Sequence, residues 1–172
     1  MLQIAIQAAL TGHLVLSTLH TNSAPATITR LLDMGVEPYL IASSVVLTVA
    51  QRLVRRLCPD CKKSYAPSAE LLKSIGLTAK QAQGITFYQA VGCKECNQTG
   101  YRGRLAIFEL MVTTPSIAQL TMERADTSVI TKKALEEGMT PLLADGMRKI
   151  RAGVTSIEEV LSVASMEQVV VE

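Results

Sequence analysis

The sequence predicts an α/β fold that carries an inserted four-cysteine module and ends in a helical subdomain. Residues 2–34 read as helix, strand and helix. Every cysteine falls between Cys58 and Cys96, and a strand-like run, Arg104–Val112, is followed by helices opened by capping residues. The divisions that follow are residues 1–57, 58–103 and 104–172.

In the first division Leu2, Ile6 and Ala9 recur at helical spacing, and Gly12 follows as a stop. His13-Leu14-Val15-Leu16-Ser17-Thr18-Leu19 is a short apolar run of the kind that forms strands buried on both faces of a parallel sheet. Ser23 or Asn22 can cap the next helix, whose Ile28, Leu31 and Leu32 share one face and whose exit is Gly35. Tyr39–Leu57 stays apolar until Arg52, Arg55 and Arg56, and is expected to run from a helix into a second buried segment of undetermined type.

Residues 58–103 hold seven of the 16 glycines and prolines and one short helix, near Ala69–Ile75. Three helices are expected after Val112. Pro115 and Pro141 stand at first helical positions behind Thr114 and Thr140, where a missing donor costs nothing. Leu143, Met147 and Ile150 form one apolar face, with Arg148, Lys149 and Arg151 in the last turn before Gly153. Thr155 and Glu158 make a capping box for the last helix, and Met166–Glu172 shows no clear period.

Apolar residues make up 48% of the chain, with no Trp and only six Phe plus Tyr, so the core must be aliphatic. Seventeen basic and 15 acidic residues give a net charge of +2, too even for a general nucleic-acid or membrane-surface binder, and no nucleic-acid partner is expected. The longest mostly apolar stretch, Tyr39–Ala50, falls short of the roughly 20 residues that span a bilayer. No secretory signal pattern is visible, and a cytoplasmic location is the expectation.

Cys58-Pro59-Asp60-Cys61 and Cys93-Lys94-Glu95-Cys96 are two Cys-x-x-Cys pairs with 31 residues between them. Each pair can present two thiolates from one tight knuckle, and two knuckles complete the tetrahedral S₄ shell that Zn²⁺ accepts. A full shell leaves no open position, so the expected role is structural. Disulfides suit the cytosol poorly, and a redox pair should precede a helix start, which neither does. Iron–sulfur ligation remains open on spacing alone.

His13 and His20 flank the apolar run. Ligands of open α/β sheets gather outside the carboxyl ends of parallel strands, which would place Thr18, His20 and Thr21 as candidates for sensing a phosphate. The alternative is that Thr21 and Asn22 cap the next helix and His20 is a surface residue. Arg52, Arg55 and Arg56 invite either a phosphate-binding reading or structural ion pairs.

Thr11–Asn22 resembles the His box of the type II secretion and type IV pilus-assembly ATPases. Gln51–Cys61 and Gly92–Arg104 are similar to the segments around that family's tetracysteine motif, and Gly153–Val160 to its C-terminal signature. Ser23 stands where Asp is usual and Ala106 where Gly is common. The resemblance implies the C-terminal half of a RecA-like P-loop ATPase domain and ATP and Mg²⁺ as ligands of the full-length protein. It also implies a ring of six subunits and partners among the inner-membrane platform and cytoplasmic-ring proteins. It places His13 and His20 near the γ-phosphate, and the strand-end and arginine readings add Thr18, Thr21 and Arg52 as the expected nucleotide-side residues. No G-x-x-x-x-G-K-[ST] loop occurs here, and the family's acidic segments are expected to end just before Gln3, so the sequence reads as an inactive piece of the motor. The rival reading is a non-catalytic zinc knuckle that holds protein or nucleic acid.

Overall fold

A computed structural model describes residues 2–164. Met166–Glu172, whose sequence shows no clear period, and the side chain of Leu2 lie outside what is described. The chain is mixed α/β and divides into two compact units, one of Met1–Ala50 with Glu109–Thr140 and one of Gln51–Phe108 with Pro141–Glu172. Its elements are α1 (Leu2–Leu10), α2 (Ala24–Asp33), α3 (Pro38–Ser44), β1 (Leu47–Leu57), β2 (Lys63–Tyr65), α4 (Ala69–Ser74), β3 (Phe87–Gln89), β4 (Tyr101–Val112), α5 (Pro115–Met122), α6 (Thr127–Glu136), α7 (Leu142–Arg151) and α8 (Ile157–Leu161).

The apolar run His13–Leu19 is not a strand. It makes no ladder, and Leu14 and Leu16 are each 88% exposed. A strand buried on both faces exists only between neighbours that pair with it and helices that cover it, and the described residues place neither there. The undetermined segment resolves into α3 and the long strand β1, which pairs with β4. Thr113 N–H donates to Val46 O (3.0 Å) and Cys58 N–H to Gly100 O (2.9 Å), so the two strands run antiparallel. A second antiparallel pair joins β2 to β3 with Ser64 opposite Tyr88.

The first unit packs α2, α3, α5 and α6 around Ile28, Leu31, Ile41, Ile117 and Ile130, all buried. Fully burying one such side chain stabilises by about 1.5–3 kcal/mol, and together they form the expected aliphatic core. Ser23 rather than Asn22 caps α2, its Oγ accepting from Ala26 N–H. The buried carboxylate of Glu109 accepts from Ala24 N–H at 2.8 Å, an anion at the positive end of the helix. Gly35 ends α2 in a Schellman arrangement: Val36 N–H reaches Leu31 O and Gly35 N–H reaches Leu32 O.

Thr114 caps α5 with Pro115 at the first helical position, as expected. Two caps differ from expectation. Pro141 is itself the residue before α7, and α8 is capped by Ser156, whose Oγ accepts from Glu159 N–H, one residue later than the Thr155 box. Thr155 instead turns its hydroxyl to the carbonyl of Arg55 (2.8 Å), a bond across 100 positions that no local pattern announces. Helix α6 was not among the three expected; its apolar face is only Ile130 and Ala134 among charged and hydroxyl residues. In the second unit α7 buries Leu143, Met147 and Ile150 and ends in Arg148, Lys149 and Arg151, as its pattern predicts.

Candidate metal centre

The four cysteines converge. Cys58 directly follows β1, and the turn through Pro59 and Asp60 closes when Lys62 N–H donates to Cys58 O (3.1 Å), which brings Cys61 round beside Cys58. On the second knuckle a 3₁₀ turn over Lys94–Cys96 does the same. Asn97 and Gln98 then adopt φ of +51° and +62°, which returns Gln98 N–H to Cys93 O (2.9 Å).

The Sγ atoms of Cys58 and Cys93 lie 3.9 Å apart, those of Cys61 and Cys96 3.8 Å, and those of Cys93 and Cys96 3.6 Å. All four lie within 4.8 Å of one another. A regular tetrahedron with bonds of about 2.3 Å has edges of about 3.8 Å, so the donor set fits a tetrahedral thiolate-bound ion. Disulfides need sulfurs at about 2.05 Å, and none of the four is bonded.

Backbone donors prepare the site for negative sulfur. Gly92 N–H points at Cys61 Sγ (3.3 Å), and Cys93 N–H (3.1 Å) and Gly100 N–H (3.2 Å) point at Cys96 Sγ. Burial pushes the Cys58, Cys61 and Cys93 thiols up. It pushes Cys96 up as well, but the N–H groups of Cys93 and Gly100 together with the side chains of Cys93 and Cys61 outweigh it and bring that thiol down to about 6. A bound cation favours the thiolate at all four positions. Gly100, at φ +76°, is the one residue type that can sit there: a Cβ would come 2.6 Å from that of Ala90. These glycine donors were not among the residues picked out from sequence, although Gly-Cys and Thr-Gly-Tyr around the second pair were their signal.

His13 and His20 are exposed, and His13 Nδ1 lies 3.1 Å from Thr11 Oγ1. Thr18 is exposed, while Thr21 shares a hydrogen bond with Thr27 (3.0 Å) at the start of α2. Arg52 lies on β1, in the other unit, with Nη1 on Gln51 O (3.1 Å). Arg55 makes the structural ion pair that was the alternative to a phosphate role. Its Nε donates to Glu159 Oε1 (2.9 Å), its Nη2 to the same oxygen, and its N–H to Oε2 (3.0 Å). The guanidinium also lies over the Tyr101 ring at 4.1 Å.

Residues 1–162 match the family model described as type II/IV secretion system protein. Among similar proteins, the type IV pilus assembly ATPase PilB of Myxococcus xanthus is 46% identical over 160 residues, covering 92% of this chain and 28% of that protein. The type II secretion system ATPase E of Vibrio cholerae is 47% identical over 162 residues, 94% of this chain and 31% of its own. The type II secretion system protein E of Pseudomonas aeruginosa is 47% identical over 165 residues, 96% and 32%. The chain therefore spans about a third of the length of these relatives. With the match running through both cysteine knuckles and almost end to end, the chain belongs to the type II/IV secretion system protein family.

Proposed function

We propose that this chain is the C-terminal part of a cytoplasmic ATPase that drives type II protein secretion or type IV pilus assembly as a six-subunit ring, and that Cys58, Cys61, Cys93 and Cys96 hold a structural Zn²⁺. The observation that carries the motor reading is identity of 46–47% kept across 92–94% of the chain with proteins named as such ATPases. The near-tetrahedral sulfur spacing supports the metal. Bound zinc would offset two of the four thiolate charges and cross-link two distant stretches of backbone, and no reaction step is assigned to it.

In this proposal the residues divide by task. Residues 1–57 belong to a RecA-like core, 58–103 to the metal module and 104–172 to a strand and helical subdomain. His20 and His13, with Thr18, Thr21 and Arg52, face nucleotide and Mg²⁺ that the rest of the motor holds, and the motor's partners are platform and cytoplasmic-ring proteins at the inner membrane. No described helix is long and apolar enough to cross a membrane. Because these 172 residues contain no phosphate loop, they bind ATP weakly and do not turn it over alone. Parallel assays of the full-length protein and of this chain test this: Mg²⁺-dependent hydrolysis is expected only from the first. Turnover by the 172 residues alone would overturn the assignment of the catalytic machinery.

A further inference from the structure

The stretch Gly153–Glu159, which joins α7 to α8 and opens α8, is tied by side-chain and backbone bonds to residues near the cysteines. Leu57, next to Cys58, donates its N–H to Val154 O (2.9 Å). Lys62, next to Cys61, spans the Tyr88 ring at 4.5 Å and donates from Nζ to Gly153 O (2.7 Å), a cation on the carbonyl end of α7. Tyr101 follows Gly100, whose N–H points at Cys96 sulfur, and its hydroxyl shares a hydrogen bond with Ser156 Oγ (3.0 Å). Tyr65 donates to Glu158 Oε1 (3.2 Å), and Arg55 clasps Glu159 while its carbonyl takes the Thr155 hydroxyl. All of these residues belong to one compact unit.

The joint has little to hold it otherwise. Helix α8 has five residues, too few to persist by its own hydrogen bonds. What keeps it in place is packing on α7 and the bonds above, which come from the end of β1 at Leu57, the start of β4 at Tyr101 and the first knuckle at Lys62, all beside the cysteines. A metal ion held by the four sulfurs would tie these segments together.

We propose that the cysteine module is a metal-set latch: occupancy of the S₄ site decides whether Gly153–Glu159, and with it α8, stays docked. This rests on the metal reading above and extends it by naming what the metal controls. The latch is a candidate point of control, because loss of the ion frees a specific joint and leaves the helices of the first unit folded.

Hydrogen exchange read by mass spectrometry on the whole chain tests it, with zinc content measured on the same samples. In zinc-loaded protein the amides of Glu159, Val160, Ser162 and Ala164, all hydrogen-bonded, should be protected. Stripping the zinc with a chelator should speed their exchange on the order of 100-fold while α2 and α5 keep their protection. The pair Tyr101→Phe with Glu159→Gln leaves every ligand in place; it should retain one zinc per chain and speed the same amides on the order of 10-fold. Unchanged exchange at 159–164 after confirmed zinc loss overturns the latch and leaves the metal reading standing. Parallel deprotection of α2 and α5 also overturns it, since the metal would then hold the whole chain. Protein that takes up no zinc overturns both readings together.

Discussion

The cysteine knuckles and the His13–Asn22 segment carry the two most distinctive motifs of the chain, and the fold treats them in opposite ways. The knuckles are complete. Their turns close on their own backbone bonds, and three N–H groups already face the sulfurs. The histidine segment has its cap and its following helix, but its apolar run lies exposed and makes no ladder. A motif whose geometry comes from tight turns is finished by the residues that compose it, whereas a buried strand is a property of its neighbours. Family membership can therefore be read from both motifs, but working geometry only from one.

The largest test of this contrast is Cys58→Ser with Cys96→Ser. Structural zinc sites carry apparent binding energies on the order of 10–16 kcal/mol, far more than three-residue strands and a six-residue helix obtain from burial. Metal content should fall from one per chain to near zero, with loss of protection through residues 58–103. A double variant that keeps its zinc would show the cluster to be incidental.

Next in size is His20→Ala in the full-length motor. If the segment acquires its function from neighbours, the substitution leaves zinc content unchanged and lowers turnover on the order of 100-fold, about 3 kcal/mol, as loss of one donor to developing charge does. His13→Ala should cost less. Wild-type turnover in both variants would return His20 to an ordinary surface residue.

What the sequence disclosed follows the same division. The two cysteine knuckles, the apolar faces of α2 and α7 and the cap of α5 were legible because each is written in residues within a few positions of one another. The strand at His13–Leu19 was misread because an apolar run reports a preference for burial and not the presence of a cover. The α8 cap fell one residue off because Thr155 and Ser156 are both capping types, and the choice between them is made by Arg55, 100 positions away. Glu109 at the start of α2 and Glu159 on Arg55 were invisible for the same reason, lying 85 and 104 positions from their partners.

A third test stays within the second unit. Gly146 of α7 faces Val160 of α8, and a Cβ there would come 2.4 Å from Val160 Cγ1. Val160 is fully buried and cannot retreat, so Gly146→Ala should destabilise by about 1–3 kcal/mol through overpacking rather than gain the helix propensity of alanine. Denaturant midpoints check it. A more stable variant would mean that α8 already moves freely on α7.

The smallest effect is an acid dependence that separates the two units. Hydrogen bonds from the Arg55 guanidinium, opposed by burial, hold the Glu159 carboxyl below its ordinary 4.5. A folded value below the unfolded one means a contribution fully present above pH 4.5 and lost as pH falls through the folded value. With Arg55 largely exposed, solvent screening limits it to about 1 kcal/mol. In the other unit Glu137 is depressed as well, chiefly by the Thr114 hydroxyl, so acid loosens both and wild-type curves alone cannot apportion the loss. Comparing Glu159→Gln with wild type does so: the variant should be less stable at pH 7, and the two curves should converge as pH falls through the depressed folded value of Glu159, below which the wild-type carboxyl is protonated too. Zinc release by acid is common to both proteins and drops out of the difference. A gap that persists undiminished to the lowest pH would show that Glu159 acts through its shape in the α8 turn and not through its charge on Arg55.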